Sequence, residues 1–252
     1  MIIFKLAPIV ISLLTLVLIL SDKNSNNAIH ARTQYIGAAE SPPCVNDYME
    51  LPVYRLIVDE PSGIIGKGSV YLIAKDLWIS ADHVVPLDNS INTVNLGNGE
   101  TTKIVVDTRI PDIDLILLRG NSNDIKPINF SMKSVNDSNL SNTKFWNIGY
   151  PTFASGEKLL TSGSLEAYTD EYIFFKMLVM DGMSGGLTMM CDANNDPLAV
   201  GTIASFAYEN LSDKEYTNED GKRIREVVKV NTGESFSAPV FHLTPRIMEL
   251  LN

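Results

Sequence analysis

Basic charge is in short supply. The chain carries 20 Lys and Arg against 30 Asp and Glu, a formal net charge of −10 over 252 residues, and no stretch gathers the cations into a patch. That argues against a nucleic-acid-binding surface, which needs clustered cations to offset phosphate charge. Long apolar runs are scarce as well. The exception is the start, "MIIFKLAPIVISLLTLVLIL", mainly apolar from Leu6 to Leu20 behind a single charge, Lys5. At about 15 residues this run has the length of a signal-peptide core and falls short of the roughly 18 that a spanning helix needs. The polar "SDKNSNNAIHA" behind it ends on a small residue. Residues 1–31 therefore read as a signal peptide cleaved after Ala31 or as an uncleaved N-terminal anchor. Either way the body of the chain is expected outside the cytoplasm, secreted or periplasmic, with membrane attachment only through this segment.

Cysteine is nearly absent: Cys44 and Cys191 are the pair. An even count in an exported chain is consistent with a disulfide. Sequence cannot test whether the two Cβ atoms approach, so two unpaired thiols stay open. No motif asks for a metal or a cofactor. Sustained helical periodicity is also lacking. Instead, strand-length runs rich in β-branched and aromatic residues alternate with Gly, Pro, Asn and Asp: "YRLIVD", "GSVYLIAK", "LWISA", "TVNLG", "TKIVVDT" and "DLILLRG". After a polar connection near residues 121–143 comes a second series: "KFWNIGYP", "KLLTSGSLEAY", "YIFFKMLVM", "GLTMM", "LAVGTIASF" and "REVVKVN". Many short strands at this spacing predict an all-β barrel or sandwich protein. The expected layout is an extended leader over 32–50, one β half over 51–125 and another over 126–252. The tail "TPRIMELLN" is the clearest helix, with Thr244 as N-cap and Pro245 at the first helical position. The acidic "YENLSDKEYTNEDGKRIRE" reads as a solvent-exposed hairpin loop.

Chemistry concentrates around Ser184, in Gly182-Met183-Ser184-Gly185-Gly186. The string satisfies G-x-S-x-G, the nucleophile elbow of α/β-hydrolases, where a strand leads into the serine and a helix leaves it. The segment behind this serine, "GLTMMCDANNDPLAVGTIASF", reads instead as strand, Asn-Asn-Asp-Pro turn, strand, and a double glycine starts a helix poorly. The elbow also needs a downstream acid and histidine, which Asp196 or Asp213 with His242 could supply in order. An elbow-type esterase therefore stays in the inventory.

Three histidines are present, and two of them, His30 and His242, lie near the ends of the chain. His83 stands in "LWISADHVV", which resembles the histidine block "TAAHV" or "TAAHC" of trypsin-like serine proteases. The preceding "GKGSVYLIAK" resembles the glycine-led hairpin of that family. Asp114 in "PDIDLILLRG" resembles its "D-[IL]-A-L-L" block, and G-M-S-G-G resembles its G-x-S-G-G. "NIGYP" at 147–151 is similar to a strand of the compact bacterial members, glutamyl endopeptidases and the protease domains of the Deg heat-shock proteases. The block spacings suit those members better than the digestive enzymes. The resemblance covers about residues 50–250.

It implies two six-stranded antiparallel β-barrels with a short C-terminal helix, and a serine endopeptidase acting on protein or peptide substrates. His83 would be general base, Asp114 its orienting carboxylate and Ser184 the nucleophile, with the N–H groups of Gly182 and Ser184 as the oxyanion hole. The substrate would lie in the cleft between barrels as an added strand along Ala204, Ser205 and Phe206. Leu178 would sit near the base of the primary pocket, favouring an apolar or small side chain. With the tail so close behind Ser184, no following peptide-binding domain of the Deg type is expected.

Three departures bear on activity. Met183 stands where digestive trypsins carry the aspartate that receives a new N-terminus, and Asp181 is displaced by two; that activation switch is expected to be missing. Val84 replaces the half-cystine that follows the histidine in many animal enzymes. Asp82 replaces the alanine before the histidine and puts a second carboxylate beside it. A protease-fold binding module without catalysis is the rival reading that Asp82 and Met183 keep open.

Overall fold

The computed structural model describes residues 40–97, 99–131, 143–152, 157–169 and 171–205, the backbone alone over 206–217 and 223–234, then 235–240 and Glu249. The signal or anchor segment, His242 and all of the expected C-terminal helix but Glu249 lie outside the described residues. Among the described residues no helix is long and apolar enough to cross a membrane.

Thirteen strands are described: β1 (Val53–Asp59), β2 (Ile65–Ala74), β3 (Leu77–Ala81), β4 (Ile91–Gly97), β5 (Glu100–Ile110), β6 (Leu115–Arg119), β7 (Asn129–Phe130), β8 (Lys144–Gly149), β9 (Leu159–Tyr168), β10 (Ile173–Lys176), β11 (Leu187–Cys191), β12 (Pro197–Thr217) and β13 (Arg223–Pro239). The first six close into an antiparallel barrel in the order β1-β2-β3-β6-β5-β4, with β1 also pairing β4. The second ring runs β11-β8-β9-β10-β13-β12 and closes through β11–β12. Short β7 joins β12 in parallel, outside that ring. Both barrels fall within one compact unit, residues 36–208 and 231–252, whereas residues 209–230 group apart. Closure removes the exposed edges that open sheets must protect.

The uninterrupted apolar runs of β2, β3 and β6 now have a cause: these strands are buried on both faces. Val70, Leu72, Trp78, Ile116 and Leu118 point into the first barrel. Their neighbours Tyr71, Ile73, Leu77, Ile79, Leu115 and Leu117 point out, into a core shared with Trp146, Ile148, Leu187 and Met189 of the second barrel. Side chains alternate faces along a strand, so a strand between two cores has no solvent face to spend on polar residues. Tyr71 adds a polar latch to this seam, its hydroxyl 2.8 Å from Thr202 Oγ1. Inside the second barrel, Phe145, Phe175 and Met177 supply the bulk. A buried chain of polar groups joins Asn147, Thr188 and Ser237, with Thr188 Oγ1 2.6 Å from both Asn147 Oδ1 and Ser237 Oγ.

One element differs from the sequence reading. The stretch 208–226 is not simply a loop: strand backbone continues through Thr217 and resumes at Arg223, and residues 218–222 lie outside the described part. Neighbouring strands satisfy each other's backbone groups, which every residue type carries, so a polar sequence can stay in a ladder.

The described part of the leader, residues 40–50, is tied down. Cys44 and Cys191 form a disulfide that links it to the end of β11. Trp146 Nε1 donates to Glu40 O at 3.0 Å. The ammonium of Lys158 donates to the carbonyls of Met49 and Leu51 at 2.7 and 2.8 Å. Burial pushes that lysine down to about 8, against the favourable field of Asp47; desolvation disfavours the charged form of an amine.

Candidate active site

His83 and Asp114 meet because β3 and β6 are neighbours. Their register pairs Ala81 with Leu115. The histidine lies just past the end of one strand, in the 3-10 turn Asp82–Val84, and the aspartate just before the start of the other, so both emerge at the same end of the ladder. Asp82 N–H extends the pairing by donating to Asp114 O at 3.1 Å. Asp114 caps the 3-10 turn Pro111–Ile113 in a left-handed conformation, φ 57°, which short polar residues tolerate better than others. Its carboxylate then holds the histidine at two points. Oδ1 accepts from His83 N–H at 2.9 Å, and Oδ2 lies 2.8 Å from Nδ1. The imidazole is half exposed, its Nε2 edge unengaged among the described residues.

Ser184 arrives from the second barrel, on the turn between β10 and β11. That turn is pressed against β2 and β3. Ser184 O accepts from Ser69 N–H at 2.8 Å. Gly185 adopts φ +81°, and a Cβ there would overlap Ser69 O and Ser80 Oγ and come within 3.0 Å of Ala81 N, so only glycine fits. A Cβ on Gly68 would reach both Val84, next to His83, and Ser184 O. The serine turn and the histidine turn thus border the same end of β2. Among the described residues no hydrogen bond joins Ser184 Oγ to His83. In sites without substrate this contact is often long and tightens only when substrate binds.

The turn also leaves donors free. Met183 N–H, Gly185 N–H and Gly186 N–H bond to Met180 O, Ile203 O and Met183 O, at 2.8–3.0 Å. Among the described residues the N–H groups of Gly182 and Ser184 have no partner. Gly182 has φ +90°, and its Cβ would strike Thr152 and Tyr150 O. Met183 is fully buried with Val179, Met180 and Ile203. It anchors the turn by apolar contact, which explains methionine where a carboxylate would need a buried partner.

Of the other residues singled out from sequence, Leu178 is half-buried against that same cluster, and its carbonyl accepts from Thr161 Oγ1 at 2.7 Å. Ala204 is buried and Ser205 exposed on β12; the side chain of Phe206 lies outside the described part. A cavity of about 690 Å³ opens elsewhere, lined by Tyr54, Lys75, Leu96, Glu100 and Asp124 among others, and holds none of the candidate catalytic residues. The elbow-type esterase reading fails on topology. Ser184 is followed by strand β11, and apart from the short β7–β12 pair the sheets around it are antiparallel, so among the described residues there is neither the helix nor the parallel sheet that an elbow needs.

Two residues of this region carry no signal in the sequence. Arg109 on β5 binds Asp82 and, at 2.7 Å, Asp88. Ser69, fully buried on β2, gathers the serine turn. Its Oγ donates to Gly182 O at 3.0 Å and accepts from Tyr150 N–H at 2.8 Å, while its carbonyl accepts from Ser80 Oγ at 2.8 Å. Both act across strands far apart in the chain, so no local pattern marks them. Ser69→Ala strands Gly182 O and Tyr150 N–H inside the protein. Urea unfolding should show a loss of about 1–3 kcal/mol.

Two closed six-stranded antiparallel barrels, with these turns on their common rim, define the trypsin-like two-barrel fold. Among solved structures the chain is similar to the serine endoprotease from Yersinia pestis, with a TM-score of 0.56 and 16% identity over 82% of this chain and 67% of that one. At that identity the likeness is one of fold. No family model matches the sequence, and no curated protein matches it either.

Proposed function

We propose that this protein is an exported serine endopeptidase. The observation that carries the reading is the two-point grip of Asp114 on His83, on the same rim as a glycine-flanked serine turn whose Gly182 and Ser184 N–H groups have no partner among the described residues. Asp114 holds the proton on Nδ1, which leaves the Nε2 lone pair to take the proton of Ser184 Oγ as it attacks the peptide carbonyl. The tetrahedral oxyanion is received by the N–H groups of Gly182 and Ser184. His83 then returns the proton to the leaving amine, and water repeats the cycle on the acyl-enzyme. An extended peptide adds along Ala204 to Phe206, with an apolar or small side chain near Leu178. The Cys44–Cys191 disulfide supports an oxidising, extracytoplasmic location.

A fluorophosphonate probe tests the assignment because it reacts with an activated serine and needs no knowledge of substrate. Wild type is expected to be labelled at Ser184, and Ser184→Ala is expected to resist labelling. Equal labelling of the two proteins, or none of wild type, refutes the reading.

A further inference from the structure

Asp82 is the residue that an endopeptidase of this kind has least reason to keep, a second carboxylate directly beside the base. The structure supplies it with a partner. Asp82 Oδ1 bonds Arg109 Nη1, and Arg109 Nε bonds Asp88 Oδ1 at 2.7 Å. Both side chains of the inner pair are largely buried, 18% and 22% exposed, whereas Asp88 is 79% exposed. Arg109 reaches this place from β5, opposite Ile116 and so close to the β6 end that carries Asp114. Partial burial works against the guanidinium charge, but hydrogen bonds to Asp88 and Asp82 outweigh it and hold Arg109 above its ordinary value.

We propose that Arg109 is a positioning residue for His83: by locking Asp82 into an ion pair, it leaves Asp114 as the one carboxylate that addresses the imidazole. The inference rests on the reading of His83 as general base. The surroundings make such a cation necessary. Asp114 and Asp112 flank the turn from the β6 side, and Glu171 and Tyr172 approach from the second barrel, where Tyr172 OH donates to Asp112 O at 3.4 Å. The Tyr172 hydroxyl is raised by burial and then by Asp114, Glu171 and Asp112, so these groups share one negative field. Lys67 lies on β2 between the two glycines that face Val84. Among the described ion pairs, Arg109 is the cation set within this group. Without it Asp82, held in a half-buried turn next to His83, would compete with Asp114 for the ring and favour the imidazolium that cannot act as a base.

The test is an NMR titration of the His83 ring protons, assigned by comparison with His83→Gln. It needs no turnover, so it separates this inference from the protease reading, which the fluorophosphonate decides. Arg109→Gln is expected to raise the His83 pKa by about one pH unit. The double variant Asp82→Asn/Arg109→Gln is expected to return it to the wild-type value. Where hydrolysis is measurable, the acid limb of kcat/KM should move by the same amount. Should Arg109→Gln fail to fold, Asp82→Asn carries the test, because it removes a negative charge beside His83 while Arg109 stays paired to exposed Asp88; the His83 pKa should then fall by roughly half a unit. A purely structural role predicts lower stability with the His83 pKa unmoved in every variant that folds, and that result overturns the proposal.

Discussion

Asp114→Asn is expected to lower kcat by about 10⁴ near neutral pH while KM and the urea midpoint stay close to wild type. The reason lies in the two-point contact. One carboxylate oxygen accepts from His83 N–H and the other faces Nδ1. An asparagine has one acceptor and one donor to fill the same places. Its Oδ1 satisfies the backbone N–H, and its NH₂ then faces Nδ1. Nδ1 must become the acceptor, which moves the ring proton to Nε2, the atom required to take the proton of Ser184. The backbone is little disturbed, since asparagine tolerates the left-handed conformation at this position, φ 57°. Steady-state kinetics on a denatured generic protein, with imidazole ¹⁵N shifts to read the tautomer, checks both halves. A fall of less than tenfold would mean that Asp114 does not act through His83.

Removing the Cys44–Cys191 cross-link by Cys44→Ser/Cys191→Ser should cost roughly 5 kcal/mol by the chain-entropy relation for so long a loop. The two cysteines are 147 residues apart, so the bond closes the unfolded chain from the leader through β11 into one ring. The native state loses little else. Trp146, Lys158 and Asn195 still hold the leader through its carbonyls at Glu40, Met49, Leu51 and Pro43. Tyr48 and Val45 still pack against the shared core. The effect is therefore expected in the urea midpoint of the oxidised protein against the double variant, with reduced wild type matching the variant. A difference under about 1 kcal/mol would show that the constraint on the unfolded chain is offset elsewhere.

Strand existence is legible because β structure announces itself locally. The six runs in each half coincide with the strands of the two barrels, from "YRLIVD" in β1 to "REVVKVN" in β13. The continuous apolar runs of β2, β3 and β6 are visible as well, but their cause, a core on each face, is not. Strand extents are harder to read where a polar composition mimics a loop. The ladder of β12 and β13 is held by backbone groups, which every residue type carries. Short β7 leaves no signal because two residues make no pattern, and its parallel partner, Leu198 and Ala199, is remote in sequence.

The sequence by itself determined the class of elements, an all-β barrel or sandwich in two halves, and the order His83, Asp114, Ser184 along the chain; the antiparallel two-barrel plan was implied by the family resemblance. Only the tertiary structure decided what surrounds them. It joined Cys44 to Cys191, turned Asp82 onto Arg109, put Ser69 beneath the serine turn and set Met183 into a core. The division has a physical origin. Strand propensity and turn chemistry depend on neighbours within a few residues, and so they are written in local composition. Ion pairs, hydroxyl clamps and disulfides depend on which strands become neighbours when the barrels close, and a lone arginine or serine carries no local trace of the partner that closure will bring to it.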